Sequence, residues 1–308
     1  MLKNFSADHS YTNILYNVME NGEKRETRSG EVISMFDAPN FLFQMEAGAP
    51  LLTGKKIFTQ QMIGELLWFI GGDHSLHQLA ERTWGKDEVQ SCNGDLRNTI
   101  WTGDQQRWYN ALSPETQRLL KYPDDLGRTY GRQWRNSAGK FGVQVDQIVK
   151  LIAGLKSNPY GRYHIVNSWN AAEIDADMMA LAPCHTMFQC YVSNDNKLSL
   201  KWYQRSVDCF LGLPFNIASY GLLLSLLCKL TGYKEGELIG TFGDCHVYSN
   251  HVDAVRRYLA NPVFDAPKLV LPYIESLEAL EKMTALDFKG CYKGYENSGV
   301  ISAPLSVG

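Results

Sequence analysis

Three short clusters in this chain bring together side chains able to work on a small polar molecule. The first is Ala182-Pro183-Cys184-His185. A thiol attacks as its thiolate, and a reference pKa of about 8.5 leaves a free cysteine mostly protonated near neutrality. Cys184 therefore needs cationic or hydrogen-bonding neighbours to serve as a nucleophile; without them it reads as a small buried hydrophobe. His185 follows directly, but neighbouring strand residues point to opposite faces. A Cys–His hydrolase stays open, and His185 need not be its base.

The second cluster is Gln204-Arg205-Ser206-Val207-Asp208, followed by Gly212-Leu213-Pro214-Phe215-Asn216. An arginine beside a serine at a strand end suits an oxyanion or a phosphate. Asn216 offers one acceptor and two donors to a planar polar edge such as a nucleobase. Each residue alone fits a solvated turn equally well, but their density in an apolar neighbourhood speaks for a site. The third cluster is Asp244-Cys245-His246-Val247-Tyr248-Ser249-Asn250-His251. Two histidines invite a metal reading, yet no HExxH spacing or nearby cysteine pair accompanies them, so no metal is expected. His246 and Tyr248 would share one face of an extended segment and could hydrogen-bond one ligand hydroxyl.

The elements that must hold these clusters are legible in outline. Apolar residues recur at helical spacing over residues 11–20, 60–70, 145–156, 217–230 and 248–259. Alternating or continuous apolar runs predict strands over 32–36, 40–45, 164–169, 187–193 and 198–205, with late strands over 268–272 and 288–292. Residues 73–125 are polar and punctuated by tryptophan; without a proline- or serine-rich linker they read as an insertion of helical pieces and loops within one domain. This is a mixed α+β pattern with no regular βαβ alternation, no GxGxxG and no Walker A sequence, which argues against a dinucleotide-binding fold.

Composition narrows the class further. The 308 residues carry 30 Lys plus Arg against 33 Asp plus Glu, so a nucleic-acid-coating protein is not expected. The 7 cysteines are scattered without a CxxC pair, which fits a reducing compartment and cytoplasmic localisation. The apolar stretches at 65–70 and 220–230 are too short to span a bilayer, and the N-terminus lacks a secretory core; a soluble protein with no membrane partner is expected.

The clusters also form one collinear pattern. Pro183-Cys184-His185, Gln204-Arg205-Ser206-x-Asp208, Leu211-Gly212-x-Pro214-Phe215-Asn216-Ile217-Ala218-Ser219-Tyr220 and His246-x-Tyr248-x-Asn250-His251 resemble the folate-dependent thymidylate synthase family. So do Glu65-Leu66-Leu67-Trp68-Phe69, Tyr130-Gly131-x-Gln133-Trp134-Arg135 and Ser168-Trp169-Asn170. The likeness runs from about Arg28 to the C-terminus, and the run from Phe215 to Tyr220 after Arg205-Ser206-x-Asp208 is highly specific. It implies a single α+β domain over residues 1–308, with a large mixed, twisted sheet flanked by helices around a buried central helix. It also implies a homodimer through the sheet face, a family-variable insertion around 73–125 and a closing C-terminal tail at 295–308.

The resemblance further implies that Cys184 adds to C6 of dUMP and turns C5 into an enolate-like nucleophile. C5 would then attack the methylene carbon of the co-substrate 5,10-methylenetetrahydrofolate. Arg205 would bind the phosphate and favour the thiolate by its charge. Arg28 and Ser206 would be further phosphate ligands, and Arg162 would reach across to the partner subunit's phosphate. His185 and Gln204 fall among the nucleotide contacts, Asn216 would read the base edge, and His246 with Tyr248 the sugar 3′-hydroxyl. Glu65 would organise water for proton transfers, and Tyr130 would help remove the C5 proton. Asp208 would hydrogen-bond the pterin, while Trp101, Leu181, Leu211, Gly212 and Phe215 pack around the folate. An asparagine at 216 suits the N3–H and O4 of uracil, where the family's deoxycytidylate hydroxymethylases carry aspartate.

The chain departs from the family pattern at Thr102 and Asp104 after Trp101, at Gly127-Arg128-Thr129, at Tyr163 where a second arginine is usual, and over Asn297-Ser298-Gly299-Val300-Ile301-Ser302. These positions surround the folate and the tail. They motivate an alternative in which ordered water, rather than hydride from tetrahydrofolate, meets the exocyclic methylene, giving 5-hydroxymethyl-dUMP. A third reading is a catalytically silent relative that binds its ligands or RNA as a regulator; the retained Cys184, Arg205, Asn216 and Glu65 argue against it.

Overall fold

The structure is a computed structural model that describes residues 6–91, 99–175 and 177–306. In chain order its strands are β1 (Glu23–Thr27), β2 (Gly30–Phe36), β3 (Phe41–Gln44), β4 (Ser137–Ala138), β5 (Gln144–Val145), β6 (Ile165–Asn167), β7 (His185–Val192), β8 (Lys197–Asp208), β9 (Lys234–Tyr248), β10 (Lys268–Leu269) and β11 (Tyr292–Lys293). Seven of them make one mixed sheet in the order β1-β2-β9-β8-β7-β6, with β3 also pairing to β9. β4 pairs with β5 and β10 with β11 in two small separate ladders. β9 is long enough to hold β3 along Glu237–Gly240 and β2 along Asp244–Tyr248.

In β8, Leu198, Leu200, Trp202 and Gln204 point inward while Lys201 and Tyr203 point out. This is the period-two pattern of a half-buried strand. The alternation lapses at Arg205 and Ser206, both half-buried, where the strand reaches the cleft. β8 and β9 run parallel, joined by helix α9 (Gly212–Thr231). Such a crossover needs a long connection, and the helix supplies it while covering the sheet. From Ile217 to Cys228 every residue of α9 is buried. The apolar stretch 220–230 is by itself too short for a membrane span; the whole helix is 20 residues, long enough by length and composition, but it is the core of the protein. Tyr220 stacks on the Trp202 indole, ring centroids 4.9 Å apart. Gly240 makes room for that indole: a Cβ there would lie 2.6 Å from it.

Helix α1 (Ala7–Asn21) is fastened by its Asp8 carboxylate, which accepts from the Thr53 and Gly54 amides and the Tyr258 hydroxyl. Helix α2 (Thr59–Gly71) packs against α9 and ends at Gly72, whose φ of 71° is the left-handed cap glycine adopts freely. Next come α3 (Leu76–Trp84), α4 (Lys86–Ser91), α5 (Thr102–Ala111) and α6 (Pro114–Leu119). The two ends of this segment meet: Leu126 N–H donates to His74 O, Leu76 N–H to Asp124 O, and His74 Nε2 lies 3.3 Å from Asp125 Oδ2. The segment thus leaves and rejoins the domain at one place. Helices α7 (Tyr130–Arg135), α8 (Gln147–Ser157) and α10 (Val252–Ala260) complete the larger elements.

The structure departs from the sequence-based expectations in several elements. Residues 234–248 form the longest strand, which the sequence reading left unassigned, and the helix expected from 248 begins at Val252. The helix expected from 217 begins at Gly212, because Pro214 is tolerated in a first turn and the Asp208 carboxylate accepts the Phe210 and Leu211 amides just before it. The late strands shrink to the two-residue β10–β11 ladder, and Phe288 lies in a 3₁₀ turn. One of the seven cysteines, Cys92, lies outside the described residues.

Candidate active site

Cys184 sits just before β7, and both its backbone groups are pinned. Its N–H donates to the Tyr130 hydroxyl at 2.7 Å, and its carbonyl accepts the Arg205 N–H at 2.8 Å. The Arg205 guanidinium reaches back to the Pro183 and Ala182 carbonyls, both at 2.9 Å, and lies over the Trp169 ring. Those bonds use only part of its donor fork, leaving the rest for an anion. A register shift between His185 and Met187 re-aims the strand beside the thiol. Burial pushes the Cys184 thiol up; Arg205 and Tyr130 pull it down, and Asp104 and Asp208 push it up. The arginine acts in the expected direction, but burial outweighs it.

The base-reading candidate is held just as firmly. Gln204 is buried; its amide nitrogen donates to Asn216 Oδ1 at 3.0 Å and to Ser206 O. Gln204 Oε1 in turn accepts from the buried Trp202 indole N–H. This fixes the Asn216 amide: one oxygen lone pair is taken, while the other and the Nδ2 donors remain for a ligand. Leu211, Gly212, Phe215 and Asn216 are all half-buried, on the first turns of a helix otherwise sunk in the core. Asp208 closes this group, its Oδ1 capping the backbone there.

On the opposite wall, Glu65 of α2 accepts a hydrogen bond from Trp101 Nε1 at 2.7 Å. Burial pushes the Glu65 carboxyl up to about 7, with the indole bond opposing. It is therefore poised to take or give a proton near neutrality. Tyr130, on α7, is buried, which holds its phenol well above the usual range. His185 stacks on the Tyr130 ring at 3.9 Å, and its Nδ1 meets the Tyr220 hydroxyl at 2.9 Å. Burial lowers His185 to about 3, so it is neutral and structural in position rather than a poised base.

At the C-terminal end of β9, His246 and Tyr248 share a face with ring centroids 5.2 Å apart, and Asp244 Oδ1 lies 3.2 Å from His246 Nδ1. β9 pairs His246 with Asp208 of β8 on one side and Ser34 of β2 on the other. Arg28 stands exposed in the β1–β2 turn, and its charge is felt by Tyr248 and Asp104. Ser206, half-buried, lies opposite Asp244 in the β8–β9 register. Leu181 and Trp101 line the hydrophobic surroundings. Arg162 is not part of this cleft: it is exposed beside Tyr163, itself 93% exposed, at the sheet end.

Two interactions of this neighbourhood escaped sequence reasoning. Asp104 pairs with Arg107, and burial raises its carboxyl while Arg107 and Arg28 lower it. Its charge also helps to raise the Cys184 thiol, an influence that no local sequence pattern marks. Gln204, named only as a nucleotide contact, proves to be the group that orients Asn216. Among the described residues, no group of three or more His, Cys, Asp or Glu side chains is placed to hold a metal ion.

Comparison with known proteins shows the family of the chain. A family model described as thymidylate synthase matches residues 9–307. The chain is 43% identical over 298 residues to the "Probable thymidylate synthase" of Escherichia phage T5, covering 96% of this chain and 99% of that protein. It is 37% identical over 323 residues to the thymidylate synthase of Staphylococcus haemolyticus (strain JCSC1435), covering 98% and 99%. These relatives do not favour the hydroxymethylase alternative raised by residues 102, 104 and 297–302. By motif, fold and near-complete alignment, the chain belongs to the thymidylate synthase family.

Proposed function

We propose that this enzyme makes dTMP and dihydrofolate from dUMP and 5,10-methylenetetrahydrofolate, through a covalent bond between Cys184 and C6 of the pyrimidine. The observation that carries this reading is the joint placement of Cys184, Arg205 and Asn216: the Arg205 N–H donates to the Cys184 carbonyl, the adjacent buried Gln204 holds Asn216, and all three residues are only half-buried. Arg205, Ser206 and Arg28 hold the phosphate, and Asn216 pairs with N3–H and O4 of uracil. His246 and Tyr248 take the 3′-hydroxyl. Tyr130 and Glu65 handle the proton at C5, and Asp208 with Trp101, Leu181, Leu211, Gly212 and Phe215 receives the folate.

The phosphate site is completed by Arg162 across a homodimer. The outer sheet face suits such an interface: Ile165, Gln189, Lys201 and Ile239 lie in one row across four strands. Tyr191 and Tyr203 beside them are 67% and 37% exposed. A cytoplasmic setting goes with this reading, as the six described cysteines are all free thiols.

The test is covalent trapping. With 5-fluoro-dUMP and methylenetetrahydrofolate the C5 substituent cannot leave as a proton, so the adduct should persist on the peptide holding Cys184. Cys184→Ser should bind dUMP yet form no adduct. Labelling elsewhere, or turnover by the serine variant, contradicts the assignment.

A further inference from the structure

His251 has no part in the chemistry above, yet its side chain is wholly buried beside the cleft. It lies in the turn Ser249–His251 between β9 and α10, flanked by the Phe210 and Tyr248 rings at 5.9 and 5.3 Å. Its Nε2 is 2.7 Å from the carbonyl oxygen of Pro304, in the C-terminal tail. A carbonyl only accepts, so Nε2 carries the hydrogen. Its Nδ1 has no hydrogen-bond partner and faces Asp208 Oδ1 at 3.8 Å. Leaving a buried nitrogen unpaired is costly, so the ring's place makes sense through what it joins: the tail on one side and, on the other, the carboxylate that accepts the Phe210 and Leu211 amides just before α9.

We propose that His251 is a positioning residue that latches the tail at Pro304 beside Asp208, so that tail closure and retention of the folate are one event. The proposal rests on the functional reading above, since Asp208 is there the folate carboxylate. The tail reaches His251 along an ordered path. Tyr295 donates to Leu52 O at 2.8 Å, Ser298 N–H to Thr53 O, and Lys56 N–H to Gly299 O. Ile301 and Ala303 pack on the core, and Asn250, next to the latch, donates to Ser306 Oγ at 3.4 Å. With the latch open, water reaches Asp208 and the C5 methylene.

The test compares three changes in the full-length enzyme: His251→Gln, which keeps an N–H for Pro304; His251→Ala, which does not; and a chain ending at Ala303. His251→Ala and the shortened chain should each lower kcat/KM for methylenetetrahydrofolate by about tenfold or more. Both should divert some product to 5-hydroxymethyl-dUMP while leaving the Kd for dUMP within about twofold. His251→Gln should recover most of the loss. Combining His251→Ala with the shortened tail should cost nothing beyond the shortened tail alone, as expected of partners in one contact. Multiplying losses, or a shortened chain with unchanged folate kinetics, would overturn the latch. If His251→Ala does not fold, His251→Phe, which fills the same buried space but offers Pro304 no N–H, takes its place in the comparison. Failure of the functional reading itself shows differently, as absence of dTMP from the unaltered enzyme.

Discussion

The indole N–H of Trp101 donates to the carboxylate of Glu65 at 2.7 Å, linking the segment 73–125 to a titratable group on the wall of the cleft. The carboxyl stands near 7 because burial raises it, and the indole bond restrains that rise. The pH profile of kcat should therefore show an inflection near 7 that vanishes in Glu65→Gln. Trp101→Phe removes the restraint, so the inflection should move to higher pH. The same group acts on stability. Its folded pKa exceeds its ordinary 4.5, so the stability it contributes is present below about 4.5 and lost as pH rises through about 7. Glu65→Gln should flatten that part of the stability curve, measurable by chemical denaturation at each pH. An inflection retained in the glutamine variant would assign it to another residue.

Asn216 is oriented by the Gln204 amide. Asn216→Asp replaces the donor needed by uracil O4 with an acceptor suited to the cytosine amino group. A mismatched buried polar group costs about 1–3 kcal/mol, so preference should move from dUMP toward dCMP by about tenfold or more. Gln204→Leu should weaken this discrimination without moving Asn216 in sequence. Competition kinetics with both nucleotides checks both; unchanged selectivity in Asn216→Asp would remove Asn216 from base reading.

Gly212 has ordinary space around it: a Cβ would lie 3.6 Å from Asp208 Cβ and 3.9 Å from Asn216 Oδ1. The fold does not demand glycine there, and the proposed folate contact supplies the reason for it. Gly212→Ala should leave stability unchanged or raise it by about 0.5–1 kcal/mol. Meanwhile the KM for methylenetetrahydrofolate should rise and that for dUMP hold. Thermal unfolding and steady-state kinetics on one preparation separate the two effects, and an unaffected folate KM would place the cofactor's contacts elsewhere.

Much of this was legible in the sequence because it follows simple periods. Helices α2 and α9 show continuous apolar faces, and β7 and β8 alternate. β9 hid because its outward positions include Glu235, Glu237 and Thr241 and its inward ones include Gly236 and Gly240. Those glycines look like loop residues, but Gly240 is small for the sake of Trp202. β1 hid for a different reason: Glu23–Thr27 is exposed throughout, so no apolar alternation marks it. In the site, the family resemblance pointed to Cys184, Arg205 and Asn216. The roles of Gln204, Asp104 and His251 depend on contacts between distant segments, which no local pattern encodes.

The homodimer has its own test. If Arg162 serves the partner subunit's site, Arg162→Ala and Cys184→Ser should each be nearly inactive alone. Mixed after unfolding and refolding together, they should regain activity, because some heterodimers carry one intact site. No recovery would confine Arg162 to a role within its own chain.

The most direct test of the central claim is the product of a single incubation with dUMP and methylenetetrahydrofolate, resolved by mass spectrometry alongside the folate. The account predicts dTMP and dihydrofolate in equal amounts, with the tail of residues 295–306 keeping water from the C5 methylene. 5-Hydroxymethyl-dUMP with tetrahydrofolate would contradict it.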